Sequence, residues 1–80
     1  MKVTVLVRPK PGILDPQGEA VRGSLDHLGF AVSNVRVGRV VDLEVEAVTP
    51  EEARAAAEKM CEQLLANQLM ESFTIQVEPS

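Results

Sequence analysis

The single histidine and the single cysteine of this sequence, His27 and Cys61, are of types that often perform acid-base or nucleophilic chemistry. Such catalysis needs a nucleophile, a base and an orienting group brought together. The pattern places His27 on the polar side of a predicted helix, where we expect it to face solvent. It places Cys61 on the apolar stripe of a second helix, as a small core residue. The sequence therefore predicts no catalytic residue.

Carboxylates are grouped in two places and raise the question of a metal site. Glu51 and Glu52 are adjacent, and Asp42, Glu44 and Glu46 alternate along one stretch. The pair falls at a predicted helix start, where acids complement the positive end of the helix dipole. The alternating acids share one face of a predicted strand. No histidine or cysteine lies near either group to complete a ligand set, so we predict no metal site.

The charge balance argues against a nucleic-acid partner. Twelve acidic and eight basic residues give a formal net charge of −4, and the only aromatic residues are Phe30 and Phe73. Such a chain repels phosphate backbones and lacks stacking platforms. Residues 11–18 are rich in turn formers, but they contain neither the lysine-threonine pair of a Walker loop nor the G-x-G-x-x-G pattern of a dinucleotide-binding loop. The basic residues Arg8, Lys10, Arg36 and Arg39 flank predicted turns and are candidates for contact with an acidic protein partner.

Eighty residues predict a single domain spanning residues 1–80. A core this small is marginal by itself, so we expect self-association into a dimer or a tetramer. The unpaired Cys61 is typical of a reducing compartment, which predicts a cytoplasmic protein. The first residues lack the apolar length of a leader peptide or a membrane span, so no membrane partner is expected.

The first half of the chain predicts a strand followed by a helix. Residues 2–8 alternate, with valines on one face. Asp15 followed by Pro16 is a helix start, since aspartate caps the helix and proline suits its first position. Apolar residues recur at helical spacing, and Gly29 supplies the left-handed stop. That apolar stripe consists of Val21, Leu25 and Leu28.

The middle of the chain predicts two further strands. The period returns to two from Val32 to Val37, and residues 41–47 alternate clearly. Between them, Gly38 and Arg39 suit a type II′ hairpin turn. One long strand with a bulge at Gly38 is the alternative, and the sequence does not decide between them.

The last third predicts a helix and a final strand. Thr49, Pro50 and Glu52 form a capping box, with Asn67 as a plausible stop. The predicted apolar stripe is Ala53, Ala57, Met60 and Leu64, widened by Ala56, Cys61 and Leu65. On this assignment Leu64→Ala opens a core cavity that costs roughly 2 to 4 kcal/mol. Residues 73–77 alternate as the last strand.

These elements predict an α+β protein with the ferredoxin-like order β-α-β-β-α-β. We expect a four-stranded antiparallel sheet with two helices on one face, and the other face uncovered. The uncovered face, or an edge of the sheet, is where we expect a second copy to bind.

Several spaced segments resemble the PurS family, the small subunit of phosphoribosylformylglycinamidine synthase, along nearly the whole chain. The most recognisable one runs from the end of the first strand into the first helix. The segments are Arg8-Pro9-Lys10-Pro11-Gly12-Ile13-Leu14-Asp15-Pro16-Gln17-Gly18, Leu28-Gly29-Phe30, Val35-Arg36-Val37-Gly38 and Leu64-Leu65-Ala66-Asn67. The chain departs from the family at Gln68, where Asn-Pro is common, and at Pro11.

The resemblance implies a non-catalytic subunit that joins a glutaminase and a synthetase and supports ammonia transfer between them in de novo purine (IMP) biosynthesis. It implies that this chain binds no cofactor, and that ATP and glutamine are used by the partner subunits. It also implies a homodimer or homotetramer. The partner-binding candidates that it carries over are Arg8, Lys10, Gly12, Asp15, Arg36, Gly38 and Asn67. Pro16 and Gly18 belong to the same motifs but already have a folding role.

Two other classes share the predicted element order. An ACT-like regulatory dimer binds a small molecule at a glycine-rich turn after the first strand, which Gly12 and Gly18 supply only loosely. An acylphosphatase-like enzyme needs an arginine in a phosphate loop and an orienting asparagine, and Asn34 and Arg36 do not fit that pattern.

Overall fold

The computed structural model describes residues 1–78, which form three strands and two helices. In chain order these are β1 (Lys2–Pro9), α1 (Pro16–His27), β2 (Arg39–Glu44), α2 (Pro50–Met60) and β3 (Glu71–Glu78). A π-helical turn over Cys61–Leu65 extends α2. The strands form one antiparallel sheet in the order β2-β1-β3. The α+β class is confirmed, and the predicted number of strands is not.

The helix starts follow the predicted capping chemistry. The Asp15 carboxylate accepts a hydrogen bond from the Gly18 amide at 3.0 Å, and the Thr49 hydroxyl accepts one from the Glu52 amide at 3.2 Å. The Glu52 carboxylate completes the second cap by accepting from the Val48 amide, one residue earlier than a standard capping box. Both helix starts could be predicted from the sequence because capping depends on side chains within one turn.

The core lies between the sheet and α2. Val3, Val5 and Val7 on β1 are essentially inaccessible, and they face the small side chains Ala53 and Ala57 of α2. Alanines let the helix approach the sheet closely. The predicted burial of the β1 valines is therefore confirmed.

Leu64 was predicted to lie in this core, and that prediction is wrong. Its side chain is 83% exposed, whereas Cys61 is fully buried. The buried row on α2 runs through Ala53, Ala57 and Cys61 at a spacing of four. Helical periodicity allows either this row or the neighbouring one through Met60 and Leu64, and only the position of the sheet selects between them.

The predicted strand over residues 32–37 does not pair with β2 of its own chain. Gly38 does not have the positive φ that a type II′ turn requires, because within residues 1–78 only Gly12 and Gly29 do. The chain instead runs through Gly38 into β2 without reversing, beside the Val7 carbonyl. The predicted hairpin turn is therefore wrong. We call residues 31–38 the return segment.

Helix α1 was predicted to cover the sheet, and it does not. It has no substantial packing against α2 or any strand of the described chain. Together with the return segment it forms an arm, residues 15–38, that extends from the end of the sheet. The molecule consequently measures 49 × 26 × 14 Å, with a radius of gyration of 15.7 Å. A compact chain of this length has a radius of about 12 Å.

Candidate partner-binding surface

Three connections meet at the end of the sheet where the arm begins: the loop after β1, the return segment, and the turn before β3. They enclose a groove of about 380 Å³, which we call the end groove. Its lining residues are Pro9, Ile13, Leu14, Asp15, Gln17, Val37, Gly38, Arg39, Asn67, Met70 and Glu71.

Two of the predicted partner-binding residues, Lys10 and Arg36, hold the loop after β1 in place by hydrogen bonds. The Lys10 ammonium donates to the Gln68 carbonyl at 2.6 Å. The Arg36 guanidinium donates to the Lys10 carbonyl at 2.6 Å and to the Ile13 carbonyl at 3.0 Å. Arg36 is exposed and Lys10 is half-buried while making these bonds, so both charges remain accessible to a partner.

Asp15 joins the start of α1 to the return segment. One carboxylate oxygen accepts from the Gly18 amide, and the other accepts from the Val37 amide at 2.9 Å. These backbone donors, the Val37 amide first, hold the pKa of the Asp15 carboxyl below its usual value. Asp15 thus connects the two parts of the arm, α1 and the return segment, where they meet the end groove.

An ion pair closes the other side of the end groove. Arg39 at the start of β2 meets Glu71 at the start of β3, with nitrogen-oxygen distances of 2.7 and 3.0 Å. Arg39 also donates to the Leu65 carbonyl, and Glu71 accepts from the Asn67 amide at 2.8 Å. The bond from Arg39 lowers the pKa of the Glu71 carboxyl.

Sequence reasoning missed Glu71, and it named Arg39 only as one of four basic residues that could contact an acidic partner. The two residues are 32 positions apart, and their strands are separated by β1 in the sheet. They come together because Val7 pairs with Arg39 and Pro9 pairs with Glu71. No local signal in the sequence marks such a pair.

The structure brings most of the predicted candidates to this end. Lys10, Asp15, Arg36, Gly38 and Asn67 all line or border the end groove. Gly12 forms the loop turn with a φ of +82°. Arg8 is exposed, beside Gly38. Whether these residues contact a partner stays a prediction.

Several apolar side chains in and beside the end groove are exposed to solvent. Leu14 is 80% exposed, Leu69 is 85% exposed and Met70 is 51% exposed. Exposed apolar residues next to polar groups with fixed hydrogen bonds are typical of protein interaction surfaces.

The histidine and the cysteine, whose side chains could take part in catalysis, do not line the end groove. His27 is exposed near the end of α1. Cys61 is buried under α2, and burial raises the pKa of its thiol, which leaves it protonated at neutral pH. Within residues 1–78 no cluster of three histidine, cysteine or acidic side chains is placed to hold a metal ion. The same part of the chain contains no helix long and apolar enough to cross a bilayer.

The fold and the end groove together define a small α+β protein with a groove and exposed apolar side chains at one end of its sheet. Comparison with known proteins identifies which one it resembles. The family model described as "PurS: Phosphoribosylformylglycinamidine (FGAM) synthase" matches residues 2–79. The chain belongs to the PurS family of phosphoribosylformylglycinamidine synthase.

Individual relatives agree with the family match. The phosphoribosylformylglycinamidine synthase subunit PurS of Synechocystis is 41% identical over 91% of this chain and 74% of the relative. The structure of PurS from Bacillus subtilis is 37% identical, covers 98% of both chains and superposes with a TM-score of 0.87. The structure of PurLQS from Thermotoga maritima contains a chain that is 33% identical, covering 94% of this chain and 93% of that one, with a TM-score of 0.85. The ACT-like alternative is not favoured.

Proposed function

We propose that this chain is the non-catalytic small subunit that assembles the glutaminase and synthetase subunits of phosphoribosylformylglycinamidine synthase and assists ammonia transfer between them. The observation that carries the proposal is the near-complete superposition on a chain of the Thermotoga maritima PurLQS structure. The relatives named above are described as subunits of the synthase. On this proposal the protein takes part in de novo purine (IMP) biosynthesis.

The end groove is the surface that we assign to a partner subunit. Its loop is held by Lys10 and Arg36, so its shape is largely formed before a partner binds. The exposed side chains of Leu14 and Met70 offer apolar area beside polar groups with fixed positions. A preformed surface reduces the ordering cost of association.

The further details follow from the same role. ATP and glutamine are used by the partner subunits, and this chain binds no cofactor of its own. We place the complex in the cytoplasm, on the support of the single unpaired cysteine. We treat residues 1–80 as one domain and the free subunit as a homo-oligomer.

Reconstitution tests the proposal. Adding this protein to the purified synthetase and glutaminase should restore synthesis driven by glutamine, whereas synthesis driven by added ammonia should depend on it much less. The reason is that free ammonia bypasses any need to join the two active sites. A Leu14→Ser, Met70→Ser double variant should restore less, and the matched control Val48→Ser, at an 85% exposed residue of the β2–α2 connection, should restore fully. Equal glutamine-driven rates with and without the chain would refute the proposal.

A further inference from the structure

The outer edge of β3 carries backbone groups that no strand of the described chain uses. In the sheet order β2-β1-β3, the strand β3 is an edge. The Lys10 amide donates to the Met70 carbonyl at 2.9 Å, and this pair continues the register between β1 and β3. Bonded and non-bonded pairs alternate in an antiparallel ladder, so the even-numbered residues of β3 bond to β1. The backbone groups of Phe73, Ile75 and Val77 therefore point away from β1.

A side chain of α2 agrees with this direction. Arg54 donates to the Ile75 carbonyl at 3.1 Å from outside the β1–β3 ladder. A carbonyl oxygen accepts two hydrogen bonds, so the Ile75 carbonyl is able to accept one more. Within residues 1–78 the amides of Phe73, Ile75 and Val77 have no hydrogen-bond partner. Such an edge pairs readily with an extended segment of another chain.

A groove lies beside this edge, between β3 and α2, and we call it the edge groove. Its volume is about 410 Å³. The side chains of Phe73, Ile75 and Val77 face α2, because they lie opposite the buried valines of β1. Every second side chain of a strand added beside β3 faces the edge groove for the same reason. The lining residues are Pro50, Glu51, Arg54, Ala55, Glu58 and Val77.

The edge groove is acidic. Glu51 and Glu58 are exposed, and no ion pair among the described residues includes either of them. Seven positions separate them on α2, which is about 10 Å along the helix. Side chains on one face of a strand recur about every 6.7 Å, so long basic side chains two positions apart reach both glutamates. Ala55 and Val77 offer apolar surface to the stems of such side chains.

The opposite face of an added strand meets a different surface. Its side chains lie beside Ser72, Thr74 and Gln76, which are exposed and uncharged. The edge of β3 therefore fits a segment in which basic side chains alternate with uncharged ones.

The edge groove is separate from the end groove. The end groove is lined by Glu71 at the start of β3, whereas the edge groove is lined by Val77, about 20 Å further along the strand. The two also differ in charge, because the loop and the return segment beside the end groove carry Lys10 and Arg36. Surfaces of opposite charge select different partners. A subunit that joins two others requires two such surfaces.

We propose that the edge of β3 and the edge groove bind an extended, basic segment of the partner subunit that does not occupy the end groove. This inference rests on the proposed function, and it adds the position and the chemistry of the second contact. The segment joins the sheet as a strand beside β3. Two of its lysine or arginine side chains pair with Glu51 and Glu58.

Charge reversal tests the chemistry of the segment. This chain is titrated into a mixture of the synthetase and glutaminase subunits with ATP and glutamine, and assembly is followed by sedimentation velocity. In a Glu51→Lys, Glu58→Lys variant, the concentration for half-maximal assembly should rise by about tenfold or more, because two attractions become repulsions. The rise should be smaller at high salt, which screens exposed charges.

The matched control is an Asp26→Lys, Glu46→Lys variant. It changes the net charge equally, at two exposed acids that line neither groove, and it should assemble like the unmodified chain. Equal effects in the two double variants, or no effect in either, would overturn the inference. If the unmodified chain does not assemble with the two subunits, the proposed function fails together with the inference.

Hydrogen exchange tests the strand pairing in the unmodified chain, so its result does not depend on the folding of a variant. In the free protein the amides of Thr74 and Gln76 should exchange slowly, since they bond to β1, and those of Phe73, Ile75 and Val77 should exchange quickly. In the assembled complex the odd-numbered amides should slow by about tenfold or more, and the even-numbered amides should change less. If the complex forms and the odd-numbered amides exchange as they do in the free protein, the inference is wrong and the proposed function stands.

Discussion

The two helices of this protein start in the same way and end in different surroundings. Each begins with a side-chain cap followed by proline, and each carries an apolar stripe. Helix α2 lies on the sheet of its own chain, with Ala53 and Ala57 completely buried. Helix α1 lies beyond the end of that sheet. The difference shows that capping and periodicity determine where a helix forms, but not which surface it covers.

The largest expected effect comes from enlarging an alanine on each helix. Ala57→Leu inserts three carbon atoms against β1, and overpacking of this kind should lower the free energy of unfolding by about 3 kcal/mol. Ala20→Leu on α1 is exposed and should change it by less than about 0.5 kcal/mol. Urea unfolding at one protein concentration measures both. Similar losses in the two variants would mean that α1 packs on a sheet through Ala20.

A smaller effect is expected from adding a methyl group at two glycines. In Gly38→Ala the new Cβ overlaps the Val7 carbonyl, and the backbone must shift, at a cost of about 2 kcal/mol. Gly23→Ala in the middle of α1 meets no atom within 4 Å and should stabilise the protein by about 0.5 to 1 kcal/mol, since alanine favours helix. Thermal unfolding of both variants checks the opposite signs. A neutral Gly38→Ala would show that the return segment does not pass close to β1.

The smallest effect concerns the fastening of the arm at acid pH. The pKa of Asp15 is lowered in the folded protein, so the folded state binds fewer protons there than the unfolded state. The resulting stability is present above the unfolded pKa of about 3.9 and is lost as the pH falls through the lower folded value. Asp15→Asn keeps a helix cap but has one acceptor oxygen for two donors.

We therefore expect Asp15→Asn to lower the urea midpoint at neutral pH and to reduce its fall between about pH 5 and pH 3. The matched control is Glu19→Gln, which removes another carboxyl of lowered pKa, one that pairs with Arg22 on the exposed side of α1. If the urea midpoint falls by the same amount at low pH in Asp15→Asn and in the unmodified protein, the Asp15 carboxylate does not hold the arm in place.

The candidate surface was partly predictable. Lys10, Asp15 and Gly38 were selected from a family resemblance, and all three lie at the end groove. The observed bonds of Lys10 and Asp15 are to backbone atoms of the described chain, and Gly38 passes close to the Val7 carbonyl, so the same residues also serve folding. The ion pair of Arg39 with Glu71 was not predictable, because it depends on two strand registers at once.

The sequence by itself determined the elements whose causes are local: the β1 valine face, both helix caps, the glycine stop after α1 with Gly29 at a φ of +96°, and the last strand. These features depend on interactions within a few residues, or on a period of two. The tertiary structure decided which row of α2 is buried, whether the chain reverses at Gly38, and that α1 lies beyond the sheet of its own chain. Those outcomes depend on competition between surfaces distant in sequence, and a residue pattern is compatible with more than one of them.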